Sequence, residues 1–276
     1  MTASMYQGTV YLVGAGPGDP ELLTVRAARL LETADVVLHD ALVGDDVVDR
    51  YADTAARIDV GKDPNGERTT QEEIHRLMVR KAREGKEVVR LKGGDPTVFG
   101  RGGEEAEHLA RANVSFEIVP GVTSAIAAPE VAGIPVTHRE HASSLTVVTG
   151  HEDPTKDESA IDWGALADCV VAGGTLVVLM GVGRLPDNAR ALCERGVPES
   201  TPAAVVEQAT CEEEFTVTGT VGTIAERSRE VGVDPPAATV FGDVVGVRER
   251  VADCLEAAPA ARTARWRTTA SDRGSE

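Results

Sequence analysis

The sequence predicts two α/β domains that meet near Pro120. Three observations predict this. Apolar runs that stop at glycine alternate with helical spacing through the first half, the pattern of buried parallel strands and crossover helices. After Pro120 the rhythm changes, and short strands crowd around Glu214, which points to some antiparallel pairing. The length of 276 residues, 42% of them hydrophobic and mainly aliphatic, suffices for two cores of medium size. The expected division is residues 1–119, residues 120–250, and a tail over 251–276.

In chain order, TVYLVG (Thr9 to Gly14) reads as a buried strand and ELLTVRAARLLETA (Glu21 to Ala34) as a helix, with apolar residues at Leu22, Leu23, Ala27, Leu30 and Leu31. DVVLHD (Asp35 to Asp40) is a second strand, and RID before Gly61 ends another. TQEEIHRLMVRKAREG is a helix that stops on Gly85. EVVRL (Glu87 to Leu91) is a strand that runs into a glycine-rich stretch, followed by a helix over Gly103 to Asn113 and a strand at Phe116 to Val119. Later strands are expected at Ser144 to Gly150, Thr175 to Gly181, Ala203 to Ala209, Glu214 to Thr220 and Ala238 to Val247. Helices are expected at Arg184 to Arg195 and Thr223 to Glu230. The segment Ala257 to Glu276 lacks periodicity and reads as a flexible extension.

Composition narrows the function. No apolar run is long enough to span a bilayer, and MTASMYQGT has neither a basic start nor an apolar core, so no secretion signal is expected. A net charge of −17 disfavours nucleic acid and anionic membranes as partners. Cys169, Cys193, Cys211 and Cys254 form no CxxC pair, so no zinc or redox site is expected, and they read as buried thiols in a reducing cytoplasm. The excess of carboxylates over five lysines (Lys62, Lys81, Lys86, Lys92 and Lys156) suggests a halophilic protein whose surface repulsion is screened by salt.

The candidate site begins with GAGPGD (Gly14 to Asp19), between a strand and a helix. The GxGxxG pattern fails because Asp19 replaces the last glycine, and Asp19-Pro20 suits a helix start. The motif alone leaves open whether Pro17 touches a ligand or only shapes a turn. Asp40 ends a strand, where α/β folds place their sites, and suits a general base or a ribose acceptor. Lys62 follows Gly61 in a turn that presents its ammonium. The strongest signal is VVRLKGGDPTVFGRGGEE (Val88 to Glu105). Gly93 and Gly94 let a ligand lie against backbone, Asp95 can accept hydrogen bonds, and Arg101 supplies a forked cation. Thr123 and Ser124 stand at a helix start, as caps or as ligand contacts. Met180 and Ala209 end strands, where core filling competes with a cofactor contact.

Taken in order, GAGPGDPELLT, LHDALV, VGK, VVRLKGGDPTVFGRGGEE, PGVTSAIAAPEVAGIPVTHRE, VLMGVG and VEQAT resemble the uroporphyrinogen-III C-methyltransferases among the tetrapyrrole methylases. The resemblance covers Val10 to Val247. It implies two α/β domains with S-adenosylmethionine folded into the cleft between them, a homodimer, and C-methylation of uroporphyrinogen III at carbons 2 and 7 to give precorrin-2. By matching position it implies that Pro17, Gly93, Gly94, Asp95, Val98, Thr123, Ser124, Met180 and Ala209 contact the cofactor. Asp40 would accept a proton and Lys62 donate one. Ser124 and Val98 depart from the commonest choices, Ala and Ile. Arg101 and Arg139, with Lys62 and Arg90, are candidates to hold the substrate's carboxylates. The rivals are a methylase of a later cobalt-containing precorrin, an NAD-dependent oxidoreductase and a ligand-binding regulator. The GRGGEE and PVTHRE blocks oppose the first and the missing third glycine opposes the second. The presence of both Asp40 and Lys62 opposes the third.

Overall fold

Alternation of side chains along each strand decides the first unit. In a computed structural model, which describes residues 7–61, 69–152, 154 and 160–257, the chain divides into compact units Met1–Ser124 and Ala125–Glu276. The first holds β1 (Val10–Gly14), β2 (Val36–His39), β3 (Ala56–Asp59), β4 (Val88–Lys92) and β5 (Phe116–Val119), in the order β3-β2-β4-β1-β5. All their pairings are parallel. Val13, Val37, Val89 and Leu91 share one core with α1 (Val25–Thr33) and α2 (Asp45–Tyr51). Val10, Leu12, Val36, Leu38 and Val88 share the other with α3 (Gln71–Arg83) and α4 (Gly102–Arg111). This is the period of two expected of a strand covered on both faces.

The helix expected over Glu21 to Ala34 is interrupted. A single 3-10 turn, Pro20–Leu22, is capped by Asp19, and α1 starts afresh with Thr24 as its cap. Two competing side-chain caps five residues apart explain the break.

In the second unit the order is β6 (Leu145–Thr149), β7 (Thr175–Leu179), β10 (Ala237–Phe241), β8 (Pro202–Glu207) and β9 (Phe215–Thr220). β6 and β7 are parallel, β10 runs against β7 and β8, and β8 pairs antiparallel with β9. The helices are α5 (Ser124–Val131), which opens at the unit boundary, α6 (Trp163–Val171), α7 (Leu185–Glu194), α8 (Ile224–Glu230) and α9 (Val245–Ala257). Trp163, Leu166, Leu176, Leu192, Val205, Ile224 and Phe241 build its core.

Three expectations need correction. The strand read over Ala238 to Val247 stops at Phe241, because Gly242 takes φ 136° and α9 begins at Val245. α9 then continues past residue 251, where the tail was expected to begin; residues 258–276 lie outside the described residues. The cysteines are unpaired, but none is buried, and Cys254 is exposed. No described helix is long and apolar enough to cross a membrane.

Candidate functional site

Because every strand of the first sheet is parallel, the loops after β1, β2, β3, β4 and β5 emerge at one edge. That edge is where α/β folds bind ligands. It gathers Pro17, Asp40, Gly61, Gly93, Gly94, Asp95 and Thr123, all in the first unit.

The loops after β1 and β4 are tied backbone to backbone, and the loop after β5 approaches both closely at Gly121. Gly16 and Gly94 exchange hydrogen bonds of 3.2 and 2.7 Å. A side chain at Gly14 would lie 2.5 Å from the Gly94 carbonyl and 2.6 Å from Gly121 Cα. The close approach therefore requires glycine. Asp95 secures the same junction: its carboxylate accepts from Thr97 N at 2.8 Å, Thr97 Oγ1 at 2.7 Å and Gly121 N at 3.2 Å. Partial burial works against its charge, yet these hydrogen bonds prevail and hold its carboxyl below the usual carboxylate range. Asp95 thus orders the loops as well as being a candidate ligand contact.

Below this edge lies a buried ionic cluster that the motifs did not announce. Arg90 and Lys92 continue the Val88 face of β4, toward α3 and α4. Arg90 stands in register with Leu12 and Leu38 and is 2% exposed. A guanidinium in such surroundings must be paired. Its Nε donates to Glu105 Oε1 at 3.1 Å, its terminal nitrogens to Asp40 Oδ1 at 2.5 Å and to the carbonyls of Leu38 and Leu91. Lys92 Nζ donates to the same Glu105 oxygen at 3.1 Å and lies 3.9 Å from Asp40 Oδ2. Gln71 of α3 donates a third hydrogen bond to Glu105 Oε1, also 3.1 Å. Glu105 is fully buried. Burial, then repulsion from Arg90, push the Lys92 ammonium below its ordinary pKa, against the pull of Glu105 and Asp40.

Arg90 is therefore not available for substrate carboxylates, contrary to the expectation. It is sheathed by the sheet and its donors are committed within the cluster. Arg101 remains at the surface, in a left-handed conformation (φ 59°), gripping Glu104 through bonds of 2.6 to 3.1 Å. Such an exposed pair is weak enough to exchange for another carboxylate. Arg139 is exposed, between His138 and Glu140. His138, Glu140 and His141 bring ligand atoms within 4.8 Å of one another. However, Arg250 lies 2.6 Å from His141 Nε2, placing a cation against that group. Lys62, the expected proton donor, falls within residues 62–68, outside the described residues.

Beside these loops Leu42 and Phe99 expose 71% and 42% of their surface. Val98 and Ser124 are partly exposed. In the second unit, Met180 follows β7 and Ala209 follows β8, parallel strands flanking β10, so both lie at one edge of that sheet. Met180 (φ 55°), Gln208 (φ 48°) and Thr210 (φ 72°) are left-handed without being glycine, as are Phe99 and Arg101 in the first unit. Such conformations cost about 1–3 kcal/mol each and concentrate at ligand sites. Met180 is 54% exposed, whereas Ala209 is 9% exposed.

A sheet whose glycine loops converge at the carboxyl ends of its strands, with strained loops at one edge of a second sheet, defines a ligand-binding α/β protein of two units. The chain belongs to the tetrapyrrole (corrin/porphyrin) methylase family, whose model matches residues 9–225. It is 53% identical over 242 residues to the S-adenosyl-L-methionine-dependent uroporphyrinogen III methyltransferase of Methanosarcina barkeri, covering 88% of this chain and 94% of that one. The crystal structure of uroporphyrin-III C-methyl transferase from Thermus thermophilus with S-adenyl homocysteine shares 44% identity and a TM-score of 0.73, over 87% of this chain and 94% of that one. A cobalt precorrin-4 methyltransferase structure is similar at 31% identity and a TM-score of 0.77, over 86% and 95%.

Proposed function

We propose that this protein is an S-adenosylmethionine-dependent methyltransferase that converts uroporphyrinogen III to precorrin-2 by C-methylation at carbons 2 and 7. The observation that carries the reading is the 53% identity to a uroporphyrinogen III methyltransferase along almost all of that relative. Identity to the cobalt precorrin-4 enzyme is much lower, at 31%, which favours the earlier macrocycle as substrate.

The residues fit the cofactor. Gly93 and Gly94 present bare backbone after β4, Pro17 and Thr123 come from the adjoining loops, and Met180 and Ala209 sit on strained strand-end loops. S-adenosylmethionine supplies an electrophilic methyl group, which an electron-rich pyrrole carbon of the substrate takes. The loops contribute proximity and orientation. Methylation leaves the macrocycle with a positive charge that departure of a proton removes, and Asp40 is the acceptor. Its Oδ1 is bound by Arg90, while Lys92 stays 3.9 Å from Oδ2, beyond hydrogen-bond distance. Oδ2 is thus the oxygen that takes the proton. Lys62 is the proton donor, and Arg101 and Arg139 hold substrate carboxylates at the surface, the former by exchanging Glu104. The enzyme acts as a cytoplasmic homodimer, a reading that rests on the resemblance.

The test is an anaerobic reaction of the protein with S-adenosylmethionine and uroporphyrinogen III. The product should be heavier by two methyl groups and carry the absorbance of precorrin-2. No methyl transfer to this macrocycle, with transfer to a cobalt-containing precorrin instead, would overturn the reading.

A further inference from the structure

We propose that Glu105 is a positioning residue, whose carboxylate draws Lys92 away from Asp40 and so leaves one Asp40 oxygen free to accept a proton. The proposal rests on the reading of Asp40 as the proton acceptor. It concerns a residue that contacts neither substrate nor cofactor in that reading.

Four charges share the space beneath the strand ends: Asp40 after β2, Arg90 and Lys92 on β4, and Glu105 on α4. Their formal sum is zero, as a buried cluster requires. The division of contacts is uneven. Asp40 receives a single short contact, from Arg90 to Oδ1 at 2.5 Å. Glu105 Oε1 receives three donors at 3.1 Å, from Arg90, Lys92 and Gln71. Lys92 is thus 3.1 Å from Glu105 and 3.9 Å from Asp40. A lysine head group on its flexible stem is free to choose between two carboxylates so near each other. Glu105 is fully buried and Asp40 only partly. An anion without water has the stronger attraction for the ammonium.

Were Glu105 neutral, Asp40 would be the only anion left for both cations. Lys92 would close on Oδ2, and the base would lose the lone pair its task needs. The lowered pKa of Lys92 reflects the same poorly solvated setting, in which the ammonium cannot turn to water instead. A stable cluster alone does not require this unequal sharing. An Asp40 held by both cations would satisfy the charges equally well and would be a poor proton acceptor.

The experiment uses the full-length chain with S-adenosylmethionine and uroporphyrinogen III. Glu105→Gln keeps the shape and removes the charge. It should lower kcat at least tenfold while the KM for S-adenosylmethionine changes less than twofold. Adding Lys92→Met removes the intruding cation, and Glu105→Gln/Lys92→Met should recover kcat to within threefold of Lys92→Met alone. That second comparison holds even if Glu105→Gln by itself does not fold. Glu105→Gln costing as much kcat on the Lys92→Met background as on the parent would overturn the proposal, as would wild-type kcat in Glu105→Gln. Asp40→Asn separates the two layers. If Asp40→Asn is inactive while Glu105→Gln is normal, only the role of Glu105 fails. If Asp40→Asn turns over normally, Asp40 is not the acceptor and both readings fall.

Discussion

Gly14 and Gly93 are the same residue in one site, yet their neighbours give them different tasks. A methyl group on Gly14 would meet backbone atoms of Gly94 and Gly121 at 2.5–2.7 Å. Those atoms can retreat only if the loops part. Gly14→Ala should therefore cost about 3 kcal/mol, the upper range for overpacking. A methyl on Gly93 would meet only Leu42 Cβ closely, at 3.3 Å, so the exposed turn that carries Leu42 need shift by only a few tenths of an ångström. Gly93→Ala should stay within about 0.5 kcal/mol of the parent. It should nevertheless weaken S-adenosylhomocysteine about tenfold, because the methyl occupies the backbone face assigned to the cofactor. Denaturant unfolding and calorimetry read the two effects separately; unchanged affinity in Gly93→Ala would remove that residue from the site. The glycine block was legible because a run of glycines after a strand is a local signal. Glu105 was not, although it closes the same block. Its meaning depends on Arg90 and Lys92 turning inward, and the two-residue spacing in VVRLK shows that only once the strand's buried face is known. The left-handed backbone at Met180 and Thr210 is likewise set by the strands those loops join.

Among the elements, α3 links secondary structure to the buried cluster. Thr70 and Glu73 form a reciprocal cap: Thr70 Oγ1 accepts from Glu73 N at 3.3 Å, and Glu73 accepts from Thr70 N at 2.8 Å. The next residue, Gln71, delivers its amide to Glu105. Thr70→Ala should cost about 1 kcal/mol, the usual worth of a cap, while Thr70→Ser stays within a few tenths. Equal midpoints for Ala and Ser in urea unfolding would show that the cap does not stabilise the helix. The elements most legible in the sequence were those with one clear period and a stop. α3 spans Gln71–Arg83 inside the segment read as a helix, and β5 coincides with FEIV. Legibility failed where two signals competed. Around Val244 to Val247 the β-branched run suggested a continuing strand, but Gly242 breaks the chain and a weakly patterned helix follows. α6 was hidden for a related reason: WGALADCVV is apolar nearly all round, with Trp163, Leu166, Ala167 and Val170 buried, so it offers no amphipathic stripe to count.

At the scale of the whole molecule the dominant feature is charge: 45 acidic residues against 28 basic ones, net −17. The cluster of Asp40, Arg90, Lys92 and Glu105 is neutral, so the whole net charge falls on the rest of the chain. The surface is left with mutual repulsion among carboxylates, which favours the expanded chain. Dissolved ions screen that repulsion over a distance that shrinks from about 14 Å near 0.05 M salt to about 3 Å at 1 M. The unfolding midpoint should therefore rise by several degrees between about 0.05 M and about 1 M KCl, with most of the gain below about 0.4 M. The shape of the curve decides the cause. Screening saturates once the Debye length falls below the spacing of surface charges, whereas exclusion of solute from apolar surface grows steadily with concentration. A rise that levels off in KCl, absent at matched concentrations of sucrose, assigns the effect to charge. A midpoint indifferent to KCl would mean that repulsion among the carboxylates left over from pairs such as Arg26–Glu117 and Arg76–Glu72 does not limit stability. The halophilic reading of the composition would then fall.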